Sequence, residues 1–172
     1  KRQIGVSQPT ISEYLDIAQG TFMWRQCRSF ESNIHKSIVK MPRGHIRDSG
    51  LLHHLLHIDN LESLQSDPIV GFSFESFVIE EILKGLQDAS LRNVDYYYYR
   101  TRGGAEIDLI LEGPFGILPI EIKYGRQVEP GQLRSLTDVV NQHKLPFGIL
   151  INQADQSDWL TRNIVQIPGG SL

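Results

Sequence analysis

The stretches Glu106-Ile107-Asp108-Leu109-Ile110 and Glu121-Ile122-Lys123 decide the fold of this sequence. Each lies in an apolar run typical of a β-strand, and neighbouring residues of a strand point to opposite faces of the sheet. Alternation predicts that Glu106, Asp108 and Ile110 share one face, and that Glu121 and Lys123 share a face of the next strand. Clustered acids in an Ile- and Leu-rich sheet cost free energy through desolvation and like-charge repulsion. A hard divalent cation such as Mg²⁺, held by one or two carboxylates and by waters, would compensate that cost.

The segments around these strands predict an α/β fold, with a mixed sheet flanked by helices. A helix is predicted at 72–86, where apolar residues recur at helical spacing: Phe74, Phe77, Val78 and Leu83. The predicted order continues with strands at 95–100, 105–112 and 115–124, a helix at 130–143 and a strand at 147–152.

This element order, together with the pattern acid, spacer, acid-x-Lys, resembles the PD-(D/E)XK nuclease superfamily. Its restriction-endonuclease-like core runs helix, three-stranded meander, helix, strand. The resemblance implies Asp108, Glu121 and Lys123 as catalytic residues, with Asp108 and Glu121 as ligands of Mg²⁺ or Mn²⁺. Glu75 matches the additional helical acid of the superfamily and is a third candidate metal ligand. Glu106, expected on the same face as Asp108, would support these ligands from behind.

A longer part of the sequence resembles the C-terminal region of a family of predicted prokaryotic AAA+ ATPases. The matching pieces are Arg-Asp-Ser-Gly-Leu-Leu at 47–52, Gly-Phe-Ser-Phe-Glu-Ser-Phe-Val at 71–78, Tyr-Arg-Thr at 99–101 and the two acidic stretches. In that family an ATPase core precedes a winged-helix segment and a nuclease-like domain. The sequence contains no Gly-x-x-x-x-Gly-Lys-Ser/Thr phosphate loop, so we expect ATP to bind only in a missing upstream region. That ATPase core is an expected partner of this fragment.

The front of the chain, residues 1–60, is predicted to form a small winged-helix or lid-like segment, with the nuclease-like domain at 61–172. Ser7 can cap a helix with Pro9 in its first turn, whose expected inward stripe is Ile11, Tyr14 and Leu15. Strand-like runs at 22–28 and 37–41, with a turn at Pro42-Arg43-Gly44, would form the wing. A lid packed on the ATPase core is the alternative interpretation of this segment.

Seven residues are candidate contacts to DNA. They come from the predicted helix, from the wing between Lys40 and Arg47, and from a glycine turn just ahead of Asp108: Gln8, Thr10, Ser12, Arg43, Arg47, Arg100 and Arg102. For the two arginines of the turn, a merely solvated turn is the alternative.

The charge of the sequence is divided unevenly. The 172 residues have a net charge of −3, but residues 1–50 carry eight basic and four acidic residues, whereas residues 51–172 carry nine and sixteen. We therefore expect any attraction to phosphate to come mainly from the front. The sequence contains no apolar run long enough to span a bilayer and no signal-peptide pattern, and Cys27 is the single cysteine. These features predict a cytoplasmic protein with no membrane partner; an oligomer is compatible with them.

Metal-dependent hydrolysis of DNA phosphodiesters is the function that the sequence predicts. A non-catalytic DNA-binding or regulatory module of the ATPase is the alternative. His53 and His57 suggest a third possibility, a zinc hydrolase, but the residue after the first histidine is His54 rather than the glutamate that such enzymes use as general base.

Overall fold

The computed structural model describes residues 5–30, 42–101 and 104–172. In these ranges eight strands form a single mixed sheet, and this confirms the predicted α/β class. The strands are β1 (Trp24–Ser29), β2 (Arg43–Ile46), β3 (Asp95–Arg100), β4 (Glu106–Gly113), β5 (Gly116–Ile122), β6 (Gly148–Asn152), β7 (Asp158–Thr161) and β8 (Ile164–Pro168). The helices are α1 (Gln8–Gly20), α2 (Ser49–Leu55), α3 (Leu61–Ser66), α4 (Val70–Asp88) and α5 (Arg134–Gln142), with 3₁₀ turns at Pro130–Leu133 and Gly169–Ser171.

The strand order of the sheet is β2-β1-β3-β4-β5-β6-β8-β7. Strands β3, β4 and β5 form an antiparallel meander, while β6 pairs parallel with β5 and with β8. The predicted helix at 72–86 and the four predicted strands between 95 and 152 are confirmed to within a few residues. Strands β7 and β8, which pair antiparallel at one edge, were not predicted.

Two hydrophobic clusters cover the two faces of this sheet. On one face, Val78, Ile79 and Leu83 of α4 pack with Leu109, Leu111, Ile120, Ile122 and Ile151. On the other face, Leu136, Val139 and Val140 of α5 pack with Ile107, Ile110, Leu150 and Ile164. The predicted stripe of α4 is wrong at Phe77, which is 43% exposed, while Glu80 of the same helix is 1% exposed.

Strand β4 contains one extra residue opposite β3. Tyr97 is paired with Ile110 and Tyr99 with Ile107, so that two residues of β3 span three of β4. Such a bulge changes which face the following side chains take. Ile110 belongs to the α5 cluster, whereas Asp108 lines a cavity with Glu75 of α4. The prediction that Asp108 and Ile110 share a face is therefore wrong.

The front of the chain contributes to the same sheet. Strand β1 pairs antiparallel with β2 and parallel with β3. The predicted turn at Pro42-Arg43-Gly44 is wrong, because Arg43 and Gly44 lie inside β2, where a Cβ on Gly44 would collide with the ring of Trp24. The predicted strand at 37–41 lies outside the described residues, and the division of the chain near residue 60 stays a prediction.

Helix α1 begins as predicted, with the Ser7 hydroxyl accepting from the Thr10 amide. Its expected inward stripe is wrong for the described part of the chain, because the helix has no buried residue and Ile11 and Tyr14 are exposed. The helix packs mainly on β1, which leaves most of its surface uncovered. Among the described residues, no helix has both the length and the apolar composition needed to cross a bilayer.

Candidate functional site

Asp108 lies where strands β4 and β5 stop pairing through their backbones. The described register between the two strands ends at Leu109 and Ile120. Beyond that point the Ile122 amide donates to Oδ2 of Asp108 at 2.8 Å. The carboxylate therefore takes the place of a ladder carbonyl, and it is held almost completely buried, at 8% exposure.

Glu121 and Lys123 reach the same point from the end of β5. Nζ of Lys123 lies 2.5 Å from Oε1 of Glu121 and 4.0 Å from Oδ2 of Asp108. Glu121 is also buried, and its Oε2 has no hydrogen-bond partner among the residues that the structure describes. The structure thus brings Asp108, Glu121 and Lys123 together.

Glu75 of α4 is the third acid of this group. Burial, followed by the charge of Asp108, raises the pKa of Glu75 to about 7 and that of Glu121 to about 8. Burial also raises the pKa of Asp108, against the opposing effects of Lys123 and of the Ile122 amide. Burial works in the opposite direction on Lys123, but the charges of Glu121 and Asp108 raise its pKa. These carboxylates consequently favour any cation that can reach them.

Arg43 lies at this site. Its Nη1 is 3.9 Å from Oε1 of Glu75, its other terminal nitrogen contacts Glu106, and its guanidinium carbon is 5.0 Å from the ring centre of Tyr98. Arg100 also pairs with Glu106, at 4.0 Å. Glu106 is thus held between two arginines.

The other candidate DNA contacts lie elsewhere. Gln8 and Ser12 are exposed on α1, and Thr10 is bonded to Ser7 at the start of that helix. Arg47 donates to Glu80 at 2.9 Å. Arg102 lies outside the described residues.

The histidine pair does not form the pattern of a zinc hydrolase. Helix α2 ends at Leu55, and His57 has a left-handed backbone with φ of 59°, so His53 and His57 do not share a helix face. Nε2 of His53 is 2.7 Å from the hydroxyl of Ser73.

Glu80 is the centre of a buried ion-pair cluster that sequence reasoning missed. Its carboxylate is bonded by Arg25 of β1, by His45 of β2 and by Arg47. Although burial opposes it, hydrogen bonds from His45, Arg25 and Arg47 hold the pKa of Glu80 well below its ordinary value. The one sequence signal was an acid beside Val78 and Ile79 in the apolar stripe of α4.

The donors near Asp108 suit a hard cation by their chemistry. Asp108 and Glu121 offer buried carboxylate oxygens, one of which has no hydrogen-bond partner in the described part of the chain. Mg²⁺ needs no more than one or two carboxylates with waters. Within the described ranges, however, no three His, Cys, Asp or Glu side chains are arranged as a ready metal-binding group, and Lys123 contacts Glu121 directly. The donor set therefore fits a two-carboxylate site rather than a closed cage.

The sequence of this chain matches known families over both of its parts. The family described as Domain of unknown function (DUF4143) matches residues 70–170. The chain belongs to this family. A second family, described as Domain of unknown function (DUF8612), matches residues 1–62. The four residues considered above as catalytic or metal-binding, Glu75, Asp108, Glu121 and Lys123, all fall within the DUF4143 region.

Two mycobacterial proteins are similar to the whole chain. They are Uncharacterized protein Rv2008c of Mycobacterium tuberculosis and Uncharacterized protein Mb2031c of Mycobacterium bovis, each 32% identical over 174 residues. The alignments cover 99% of this chain and 37% of each relative. The chain thus spans little more than a third of the length of these relatives.

Proposed function

We propose that this chain is a metal-dependent nuclease domain that hydrolyses DNA phosphodiesters. One observation carries the proposal: the buried carboxylates of Asp108 and Glu121 converge on Lys123, with Glu75 of α4 interacting electrostatically with both acids. Perturbed acids next to a lysine in a cavity are typical of catalytic sites. The order α4, β3, β4, β5, α5, β6 supports a restriction-endonuclease-like core.

In this proposal the residues have separate roles. Asp108 and Glu121 would hold Mg²⁺ or Mn²⁺, and Glu75 would contribute directly or through a water. The bound cation would supply polarisation of the phosphoryl oxygen and a lowered pKa for a bound water. Lys123 would orient the attacking water and stabilise the negative charge that develops on the phosphoryl oxygens. Water adds to phosphorus, one P–O bond breaks, and the leaving oxygen takes up a proton from solvent.

The proposal extends to the longer protein only as a further hypothesis. Since the chain spans 37% of its curated relatives, an upstream ATPase core of the kind implied by the sequence resemblance would lie in the part not covered here. ATP would act through that core, and the nuclease domain would be its C-terminal effector.

Incubation of supercoiled plasmid DNA with the chain, in Mn²⁺ or Mg²⁺, tests the nuclease. We expect nicking that Lys123→Met reduces by about 100-fold or more, because an electrostatic partner of the transition state is lost. Glu81→Gln is the matched control, since Glu81 is half-buried on α4 and pairs only with Lys84. Nicking that persists in chelator, or that Lys123→Met leaves unchanged, would contradict the proposal.

A non-catalytic module is the second candidate function, and the Lys123–Glu121 contact favours it. At 2.5 Å the ammonium group already neutralises a carboxylate that a metal would need. In this case the site would be a structural ion pair within a DNA-binding or regulatory module of the ATPase. DNA binding without cleavage, and without any effect of Mn²⁺ on melting, would support it.

A further inference from the structure

A cavity of about 190 Å³ opens beside the candidate site. Asp108 and Glu75 line it together with Arg43 of β2, Tyr98 of β3 and Cys27 of β1. Its volume is several times the roughly 30 Å³ that a water molecule takes up in the liquid. A phosphate group therefore fits next to the candidate metal ligands.

Arg43 is the cation of this cavity. It forms an ion pair with Glu75 at 3.9 Å, contacts Glu106, and lies over the ring of Tyr98. The distance to Glu75 exceeds that of a hydrogen bond, so this pair is an electrostatic contact that a better acceptor can replace. The side chain remains 36% exposed, so that it is accessible from solvent.

Attachment of β2 to the rest of the molecule does not depend on Arg43. Two other residues of the same segment already bind α4: His45 lies 3.0 Å from Glu80, and Arg47 donates to it at 2.9 Å. Both contacts are more deeply buried than the Arg43 contacts. They hold the strand against α4 and thereby place Arg43 at the cavity.

Resting on the proposed function, we propose that Arg43 binds a phosphate of the nucleic-acid strand in this cavity, so that the front segment supplies part of the active site. The four acids at the site, Glu75, Glu106, Asp108 and Glu121, would repel a phosphodiester. A planar guanidinium can donate two parallel hydrogen bonds to a phosphate. The phosphate replaces Glu75 and Glu106 as partner of Arg43 while Lys123 remains with Glu121.

The test compares Arg43→Ala and Arg43→Lys with Arg134→Ala in the whole chain. Arg134 lies on α5, on the opposite face of the sheet, and is 84% exposed, so its substitution removes the same charge away from the cavity. Three quantities are measured for each variant: the Mn²⁺ dissociation constant by titration calorimetry, kcat and KM for cleavage of a DNA duplex, and the melting temperature.

We expect Arg43→Ala to bind Mn²⁺ at least as tightly as the unmutated chain, because the cation that competes for Glu75 is gone. Its kcat/KM for the duplex should fall about 10- to 100-fold, as for loss of charge-assisted hydrogen bonds. Arg43→Lys should recover only part of this loss, since an ammonium lacks the planar fork. If Arg43→Ala does not fold, the comparison of Arg43→Lys with the unmutated chain gives the same test.

Equal cleavage by Arg43→Ala and Arg134→Ala would overturn the inference and leave the proposed nuclease intact. Parallel losses of Mn²⁺ affinity, cleavage and melting temperature in Arg43→Ala would show a structural role instead. Absence of both Mn²⁺ binding and cleavage in the unmutated chain would refute the nuclease itself. Duplex binding in metal-free buffer then decides on Arg43 separately: a fall of about 10-fold in Arg43→Ala relative to Arg134→Ala supports phosphate binding, and equal affinities refute it.

Discussion

Glu121 is the residue in which the two proposed functions differ most. Its one oxygen contacts the ammonium of Lys123, while the other is buried with no hydrogen-bond partner in the described part of the chain. Leaving a buried acceptor unsatisfied typically costs about 1–3 kcal/mol. A metal ligand explains this cost as a requirement of function, whereas a structural ion pair does not.

Asp108→Asn separates these explanations at a single residue. The amide oxygen of Asn can still accept from the Ile122 amide, and one buried negative charge is removed. We therefore expect the melting temperature without metal to be unchanged or slightly raised. Mn²⁺ should stabilise the unmutated chain, by about 2.7 kcal/mol at one hundred times Kd, and should not stabilise the variant.

Paired melting curves with and without Mn²⁺ provide the measurement. If Asp108 were a structural partner of a nearby cation, the substitution would lower the melting temperature. Mn²⁺ would then shift neither curve, and the nuclease proposal would fail.

The pH dependence of stability follows from the raised pKa of Glu121. The unfolded chain loses this proton near the ordinary glutamate pKa of about 4.3, whereas the folded chain keeps it until about pH 8. In between, the folded state binds more protons, so the free energy of unfolding falls as pH rises from about 5 to 8. Glu121→Gln should flatten this decline in urea titrations made in chelator. An equal slope in the variant would mean that another group causes it.

At the scale of elements, the bulge in β4 and the gap between β4 and β5 position the acids. The bulge places Asp108 on the side of α4, and the end of the backbone ladder leaves the Ile122 amide for the carboxylate. Strand alternation predicted that the acids converge, but it assumes a regular strand, and for this reason it gave the wrong face for Ile110. A bulge depends on both partner strands and has no signal in one of them.

Other elements differ in how well their sequences indicate them. Strands β3 to β6 were predictable because each contains an apolar run or alternation, and helix α4 because its apolar residues recur at helical spacing. Strand β7 was not predictable, since all four of its residues are exposed and no apolar pattern results. The Glu80 cluster was missed because its cations lie 55, 35 and 33 residues away along the chain.

Glu80→Gln tests the tie between α4 and the strands β1 and β2. The substitution leaves two arginines near a neutral amide in a buried site, which typically costs about 3–5 kcal/mol. Urea unfolding measures this loss. In the control Glu81→Gln, only a solvent-accessible pair with Lys84 is lost, so the change should stay within about 0.5 kcal/mol. Equal effects of the two substitutions would mean that the cluster does not join the elements.

Acid should weaken the same tie. Because the folded-state pKa of Glu80 is lowered, its contribution is fully present above the unfolded pKa and is lost as pH falls below about 4. Glu80→Gln should therefore lose less stability than the unmutated chain between pH 5 and pH 3. Parallel acid-unfolding curves would place the acid sensitivity in other carboxylates.

At the scale of the whole molecule, one sheet runs from the front of the chain to its end. Trp24 lies in β1 near one edge of this sheet, and Trp159 lies in β7 at the other. Because the sheet is continuous across the two matched families, we expect the whole chain to unfold in one cooperative step.

The two tryptophans allow this to be measured. In Trp159→Phe the fluorescence reports β1 alone, and Trp159 is 57% exposed, so its loss should cost little. We expect urea midpoints from Trp24 fluorescence and from far-UV circular dichroism to coincide. An earlier fluorescence transition would show that the front strands unfold independently of the rest.

The Glu80 cluster also constrains how relatives of this protein can diverge. One buried carboxylate from the DUF4143 region balances Arg25, His45 and Arg47 from the region matched by the second family, so no member of the set can change alone without leaving an uncompensated charge. In an alignment of full-length homologues these four positions should vary together. Lineages with an apolar residue at position 80 should have neutral residues at positions 25 and 47.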